Sequence, residues 1–256
     1  MFNESMTTAV NPLPQSTARE SANHRCNHHL GSTMNNTSII QAKQVFTALA
    51  IAAIASQAQG DERGNDGISI KLSALHPRYE DAQHPRVMAE LVPRVWALCE
   101  QAAQARINLT IDAEEVDRLE LSLDVFNALL ARVAKQQPQW TGFGLALQAY
   151  QTRALELIQH VTLLARQHRV RLMCRLVKGA YWDAEIKRAQ ELGLPHYPVF
   201  THKHHTDISY LACARALLDA SDVIYPQFAT HNAATIAAIQ QMAARMGPHA
   251  PPLRGS

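Results

Sequence analysis

The sequence predicts an α/β protein whose βα units lie on a parallel sheet of the (βα)8 TIM-barrel type, incomplete, with about five units where a closed barrel has eight. Three observations carry this. Short apolar runs alternate with helical stretches from Ile68 onward, and such alternation builds parallel sheets. The runs are apolar almost throughout rather than at every second residue, as in strands covered on both faces. The polar residues they contain, Lys71, Asp112, Gln148, Lys178 and the trio Thr230, His231 and Asn232, fall toward the carboxyl ends, where a parallel barrel carries its active site. A doubly wound sheet would place ligands at the same ends. No GxGxxG follows any run, so a Rossmann dinucleotide site is unsupported.

The elements follow in order. Residues 1–38 are rich in Asn, Ser, Thr and Pro without apolar periodicity and read as a disordered tail. The cluster His24, Cys26, His28 and His29 reads as part of that solvated tail rather than as a metal site. Residues 39–65 are a helix (39–59) and a linker, the loop running on to Gly67. The helix is made of good helix formers. Its stretch VFTALAIAAIA after Lys43 also resembles a signal-peptide core. A helix packing on the domain is the preferred reading, and export would require translation from Met34. ISIKLSAL (68–75) is the first strand-type run, with a helix over 84–105. NLTIDA (108–113) is the second, with an amphipathic helix over 114–135. GFGLALQAY (142–150) is the third, followed by a helix over 151–168. RLMCRLVKGAY (171–181) is the fourth, and WDAEIKRAQELG opens its crossover. DVIYPQFATHN (222–232) is the fifth, followed by the helical AATIAAIQQMAARM. The closing GPHAPPLRGS (247–256) is a Pro/Gly-rich tail, leaving residues 66–246 as the partial barrel.

Composition narrows the function. Of 256 residues, 24 are basic and 22 acidic, a net charge of +2. No field of that size recruits nucleic acid. No unbroken run of 18 apolar residues occurs, so a spanning helix is not expected. Cys26, Cys99, Cys174 and Cys213 form no CxxC pair, which suits a reducing, cytoplasmic compartment.

The chemistry concentrates at a few positions. Lys71 in an apolar run should meet a carboxylate or an anionic ligand. Asp112 ends the next run, and a Lys71–Asp112 pair in a cleft is expected. Its alternative role is to cap the following helix. Arg175 and Lys178 place two cations within four residues of a buried strand. Alternation puts Arg175 and Val177 on one side and Leu176 and Lys178 on the other. Gly179 lets the backbone turn closely, and Tyr181 and Trp182 can wall a flat ligand. The run Thr201, His202, Lys203, His204, His205, Thr206 is open to two readings. With Thr230, His231 and Asn232 it suits phosphate; with Asp112 its histidines could hold zinc in a hydrolase barrel.

ISIKLSALHPRYE, LTIDAEEVDRLELSLD, LVKGAYWDAEIKRAQELGLPHYPVFTHK, TDISYLACARALL and IYPQFATHNAATIAAI resemble the proline dehydrogenase domain of bacterial bifunctional proline utilization A flavoproteins. The resemblance covers residues 66–242. It implies a distorted barrel, here strands 2–6, that holds FAD and oxidises L-proline to Δ1-pyrroline-5-carboxylate, with hydride passing from the substrate C5 to flavin N5. Quinone is the implied electron acceptor, with peripheral association at the inner membrane. Lys71 matches the lysine that pairs with the substrate carboxylate, and Asp112 an acid in the substrate pocket. Gln148 and Arg175 match contacts to the isoalloxazine ring, Arg175 near N5. Leu176 and Tyr181 match packing around the proline ring. Val177, Lys178, Gly179, Ala180 and Trp182 match the flavin-lining segment. Thr201, Lys203 and Thr206 match contacts to the dinucleotide part, and Thr230, His231 and Asn232 the last flavin contacts. The histidines at 202, 204 and 205 are then incidental. The family's first strand, strands 7 and 8, and the helix bearing two carboxylate-clamping arginines find no match here. No DNA-binding segment or aldehyde dehydrogenase half is seen. An inactive remnant is therefore the alternative expectation, and a metal-dependent hydrolase the weaker one.

Overall fold

The computed structural model describes residues 36–246. The tails at 1–35 and 247–256, with the His24–His29 cluster, lie outside the described residues. The chain runs α1 (Asn36–Ala55), β1 (Ile68–Ile70), α2 (His84–Gln104), β2 (Leu109–Ile111), α3 (Leu119–Gln136), β3 (Phe143–Gln148), α4 (Ala154–His168), β4 (Leu172–Val177), α5 (Trp182–Glu191), α6 (Lys203–Asp219), β5 (Ile224–Phe228) and α7 (Ala233–Arg245). The strands form one parallel sheet in the order β1-β2-β3-β4-β5.

Register explains the two faces. Ile70, Ile111, Leu145, Cys174 and Pro226 align across the sheet. Ile70, Ile111, Leu145 and Cys174 join the main hydrophobic cluster with Leu129 of α3, Val161 of α4 and Leu217 of α6. The neighbouring row is Ser69, Thr110, Gly144, Met173 and Tyr225. Met173 and Tyr225 are buried yet lie outside that cluster, because alternation turns them to the other face. Polar groups collect there: Ser69, Thr110, Arg175 and Gln227. Gly144 is required in this row, since a Cβ would sit 2.1 Å from the Met173 carbonyl oxygen on the next strand. Pro226 is tolerated because β5 pairs only with β4 among the described strands. The Ala229 N–H donates to the Leu176 carbonyl, so the odd-numbered donors of β5 face β4. The donor that Pro226 lacks faces the open edge.

The helices start and stop for local reasons. α2 has Pro in its first turn, where no intrahelical donor is needed. α4 ends at Arg169 in the left-handed conformation (φ 54°), a common helix stop. α7 is capped by Asn232, whose side chain accepts the Thr235 N–H at 3.0 Å.

Three expectations change. The run 68–75 is strand only to Ile70, and Leu72–Ala74 is a 3-10 turn. The Ser73 N–H is taken by the Glu114 carboxylate at 3.0 Å, which pulls the chain out of the sheet. The polar run 201–206, assigned to no element from the sequence, straddles a helix start, because α6 begins at Lys203. Finally, α1 begins at Asn36, so the tail ends earlier than residue 38. Ser38–Ala55 has a mean hydropathy of 1.5, long and apolar enough to cross a membrane by composition although interrupted by polar residues. In this structure α1 packs on α2 and β1. Ile40 and Ile51 are buried, and Val45, Phe46 and Leu49 are exposed.

Candidate functional site

Two groups of side chains gather at the carboxyl ends of the strands. The first is ionic. Arg175 of β4 donates to the Ser69 hydroxyl at 2.7 Å and stands 3.7 Å from the Asp112 carboxylate. Asp112 follows β2 directly, held by its N–H on the Ile70 carbonyl at 2.9 Å. Its expected partner was Lys71, but the ion pair is made with Arg175. Lys71 leaves β1 in an extended conformation and lies 5.7 Å from the centre of the Tyr181 ring. Tyr181, and more weakly the Glu114 and Asp112 carboxylates, hold the Lys71 ammonium above its usual range. Burial raises the Asp112 carboxyl, and the Arg175 and Lys71 cations offset part of that rise. The result is a half-buried acid flanked by two cations and a phenol, suited to gripping a zwitterion.

A framework of buried polar groups holds this set. The Gln148 side-chain N–H donates to the Glu114 carbonyl at 2.9 Å, and its oxygen accepts the Ala180 N–H at 3.0 Å. Gln148 thus clasps the ends of β2, β3 and β4 together. Sequence reasoning missed Glu114. Its buried carboxylate receives the Ser73 N–H and Arg118 at 3.2 Å. The acidic pair after a strand was its only signal, and that signal equally fits a helix cap.

The second group lines an open cavity of about 370 Å³: Tyr150, Lys178, Gly179, Trp182, Thr201, Lys203 and Thr206. Lys178 and Lys203 share the Asp207 carboxylate, Lys203 at 2.7 Å, and both depress its pKa. Trp182 is oriented by donating to the Phe200 carbonyl at 2.8 Å. Gly179 has φ +147°, and a Cβ there would lie 2.4 Å from the Tyr150 ring. Thr206 is only 8% exposed.

The match to known proteins decides the class. The family model described as proline dehydrogenase matches residues 15–251. This chain belongs to the proline dehydrogenase family. A relative, the bifunctional protein PutA of Klebsiella aerogenes, is 53% identical over 216 residues, which cover 84% of this chain and 16% of the relative. That of Rhizobium meliloti is 54% identical over 180 residues, covering 70% and 14%. A crystal structure of proline utilization A from Bradyrhizobium japonicum superposes with a TM-score of 0.78 at 52% identity, covering 81% of this chain and 21% of that one. One from Bdellovibrio bacteriovorus, inactivated by N-propargylglycine, gives 0.75 at 27% identity, covering 84% and 23%. The chain therefore spans less than a quarter of each of these relatives.

Within this member of the proline dehydrogenase family, the other expected site residues fall as follows. Val177 shares the Arg175 face and is half-buried. Ala180 is fixed by Gln148. Leu176 does not join the ionic group. It is fully buried in the main cluster, because alternation aims it at the helices. Thr230 accepts the Asn232 N–H at 3.1 Å and Asn232 caps α7, so both serve the turn after β5, with His231 exposed between them. Among the described residues, no group of three His, Cys, Asp or Glu could hold a metal ion. Asp112 belongs to the Arg175 pair, so the zinc reading finds no site.

Proposed function

We propose that this chain is the FAD-dependent proline-oxidising part of a longer flavoenzyme, converting L-proline to Δ1-pyrroline-5-carboxylate. The observation that carries the reading is the group of Lys71, Asp112, Arg175 and Tyr181 at the strand ends, with Tyr181 two positions after the cavity-lining Gly179.

The donor set suits the dinucleotide. Two ammonium groups and the hydroxyls of Thr201 and Thr206 match a pyrophosphate, and Gly179 leaves room for close backbone approach. Lys178, Gly179, Trp182, Thr201, Lys203 and Thr206 would hold FAD, with Val177 and Ala180 beside them. FAD supplies the acceptor for the hydride that leaves the substrate C5. The chain's own contribution is positioning and charge. Lys71 binds the proline carboxylate, and Tyr181 orients the ammonium that does so. Asp112 faces the substrate amine. Arg175, held by Ser69 and Asp112, fixes positive charge at the sheet face. Such placement lowers the barrier by limiting the motion left to the reacting pair. The same reading assigns quinone as the final acceptor and a cytoplasmic location with peripheral contact to the inner membrane.

The test is optical. Purified chain mixed with FAD should show a bound-flavin spectrum, and anaerobic proline should bleach it. Binding without bleaching would assign a flavin-binding domain that does not turn over, the inactive alternative. Absence of binding would overturn the flavin reading.

A further inference from the structure

Tyr150 follows β3 and lines the cavity with Gly179 and Trp182. It is only 2% exposed, and its buried hydroxyl has no hydrogen-bond partner. Such a group costs free energy, and folded proteins keep few of them. Burial first, and then the Glu185 carboxylate, push the phenol pKa up. The Tyr181 N–H is near enough to draw it part of the way back, yet stops short of a hydrogen bond. That N–H has no other acceptor among the described residues. A buried hydroxyl and a backbone donor thus stand close together, both unpaired.

The backbone says which of the two would move. Tyr150 is tied on both sides. Its N–H donates to the Lys178 carbonyl at 2.7 Å, and its carbonyl accepts the Phe200 N–H at 2.8 Å. The segment packed on its ring is held less firmly. Gly179, at φ +147°, lies so close that a Cβ would come within 2.4 Å of the ring. Ala180 hangs on the Gln148 side chain rather than on a strand. Tyr181 comes next, and its phenol is the chief cause that raises Lys71.

We propose that Tyr150 is a positioning residue: its hydroxyl takes up the Tyr181 N–H when a flat ligand settles against Gly179, so that filling the cavity also sets Tyr181 beside Lys71. The inference rests on the FAD reading and adds the residue that links the dinucleotide cavity to the ionic group. The unpaired hydroxyl weakens the empty chain and is satisfied in the loaded one, so its bond favours the bound state alone.

The experiment compares the parent chain with Tyr150→Phe, which keeps the ring and removes the hydroxyl. Empty, the variant should melt at or above the parent temperature, because the group it loses was not bonded. With FAD, followed by flavin fluorescence quenching, it should bind roughly fivefold more weakly, the loss of one net hydrogen bond. Hydrogen exchange at the Tyr181 amide reads the bond itself. FAD should slow that exchange in the parent and leave it unchanged in the variant. A tyrosine that only supports the fold would lower the melting temperature of the empty variant, and that result overturns the proposal. Equal FAD affinity in the two chains overturns it as well, as does Tyr181 exchange that FAD does not slow in the parent. Each of these leaves the FAD reading intact. Failure of the parent to bind FAD overturns that reading, and the proposal falls with it.

Discussion

At the scale of single residues, the site is set by charges that burial makes expensive to separate. Asp112 is half-buried with its carboxyl raised by desolvation, and Arg175 beside it limits that rise. Arg175→Met should strand the acid and cut proline-dependent flavin bleaching by more than tenfold, read in stopped-flow absorbance. Removing one partner of a partly buried pair leaves the other uncompensated. Gly179 is the second fixed point. Gly179→Ala places a methyl 2.4 Å from the Tyr150 ring at a positive φ. Overpacking and left-handed strain together should cost about 1–3 kcal/mol, seen as a lower melting temperature and weaker FAD binding. Both residues stand out in the sequence, a cation inside an apolar run and a glycine at its end. Their contacts do not, because Ser69 is 106 positions away from Arg175 and is an ordinary serine on the page.

At the scale of elements, the loops at the strand ends are held by buried polar clasps rather than by apolar packing. Glu185 of α5 is 3% exposed and accepts the Val116 N–H at 2.7 Å, while Arg188 pairs with Asp117 at 2.8 Å. These two bonds join α5, which follows Tyr181 directly, to the connection that follows Asp112. Glu185→Ala should leave the partly buried Val116 N–H without its partner and destabilise the chain by about 1 kcal/mol, measured by urea unfolding. Glu185→Gln keeps an acceptor. Burial, and the nearby Asp117 and Glu115, raise the Glu185 carboxyl above its ordinary value. Its ionised form therefore opposes folding, and the group favours the fold most below its unfolded pKa. As pH rises through the raised folded value, that contribution is lost. The Gln variant should accordingly gain on the parent in melting temperature between mildly acid and neutral pH. The strands and helices themselves were legible, since their apolar runs have period and length. The 3-10 turn at Leu72–Ala74 was not. ISIKLSAL reads as one strand, and the Glu114 carboxylate that ends it is 41 residues away from the Ser73 N–H it accepts.

At the scale of the whole molecule, the sheet puts Lys71, Asp112, Gln148 and Arg175 at one end, while the core cluster fills the other face. A ligand bound at that end contacts several strands together, so it stabilises the fold as a unit. Saturating FAD at about 100 times its Kd should add roughly 2.7 kcal/mol and raise the melting temperature. The rise should be smaller in Gly179→Ala. An unchanged melting temperature in the parent would speak against binding at the strand ends.

The division between sequence and fold follows from distance along the chain. Apolar periodicity, the five βα units, the polar residues at strand ends and the family motifs are local properties, and the linear order of residues settles them. Parallel strands are joined through helices, so the residues that meet at the strand ends are always dozens of positions apart. Folding therefore paired Asp112 with Arg175 rather than Lys71, turned Leu176 to the helices and drew Glu114 and Glu185 into the framework. No spacing rule reaches these contacts, because the register between strands and the packing of the helices that join them create the neighbourhood.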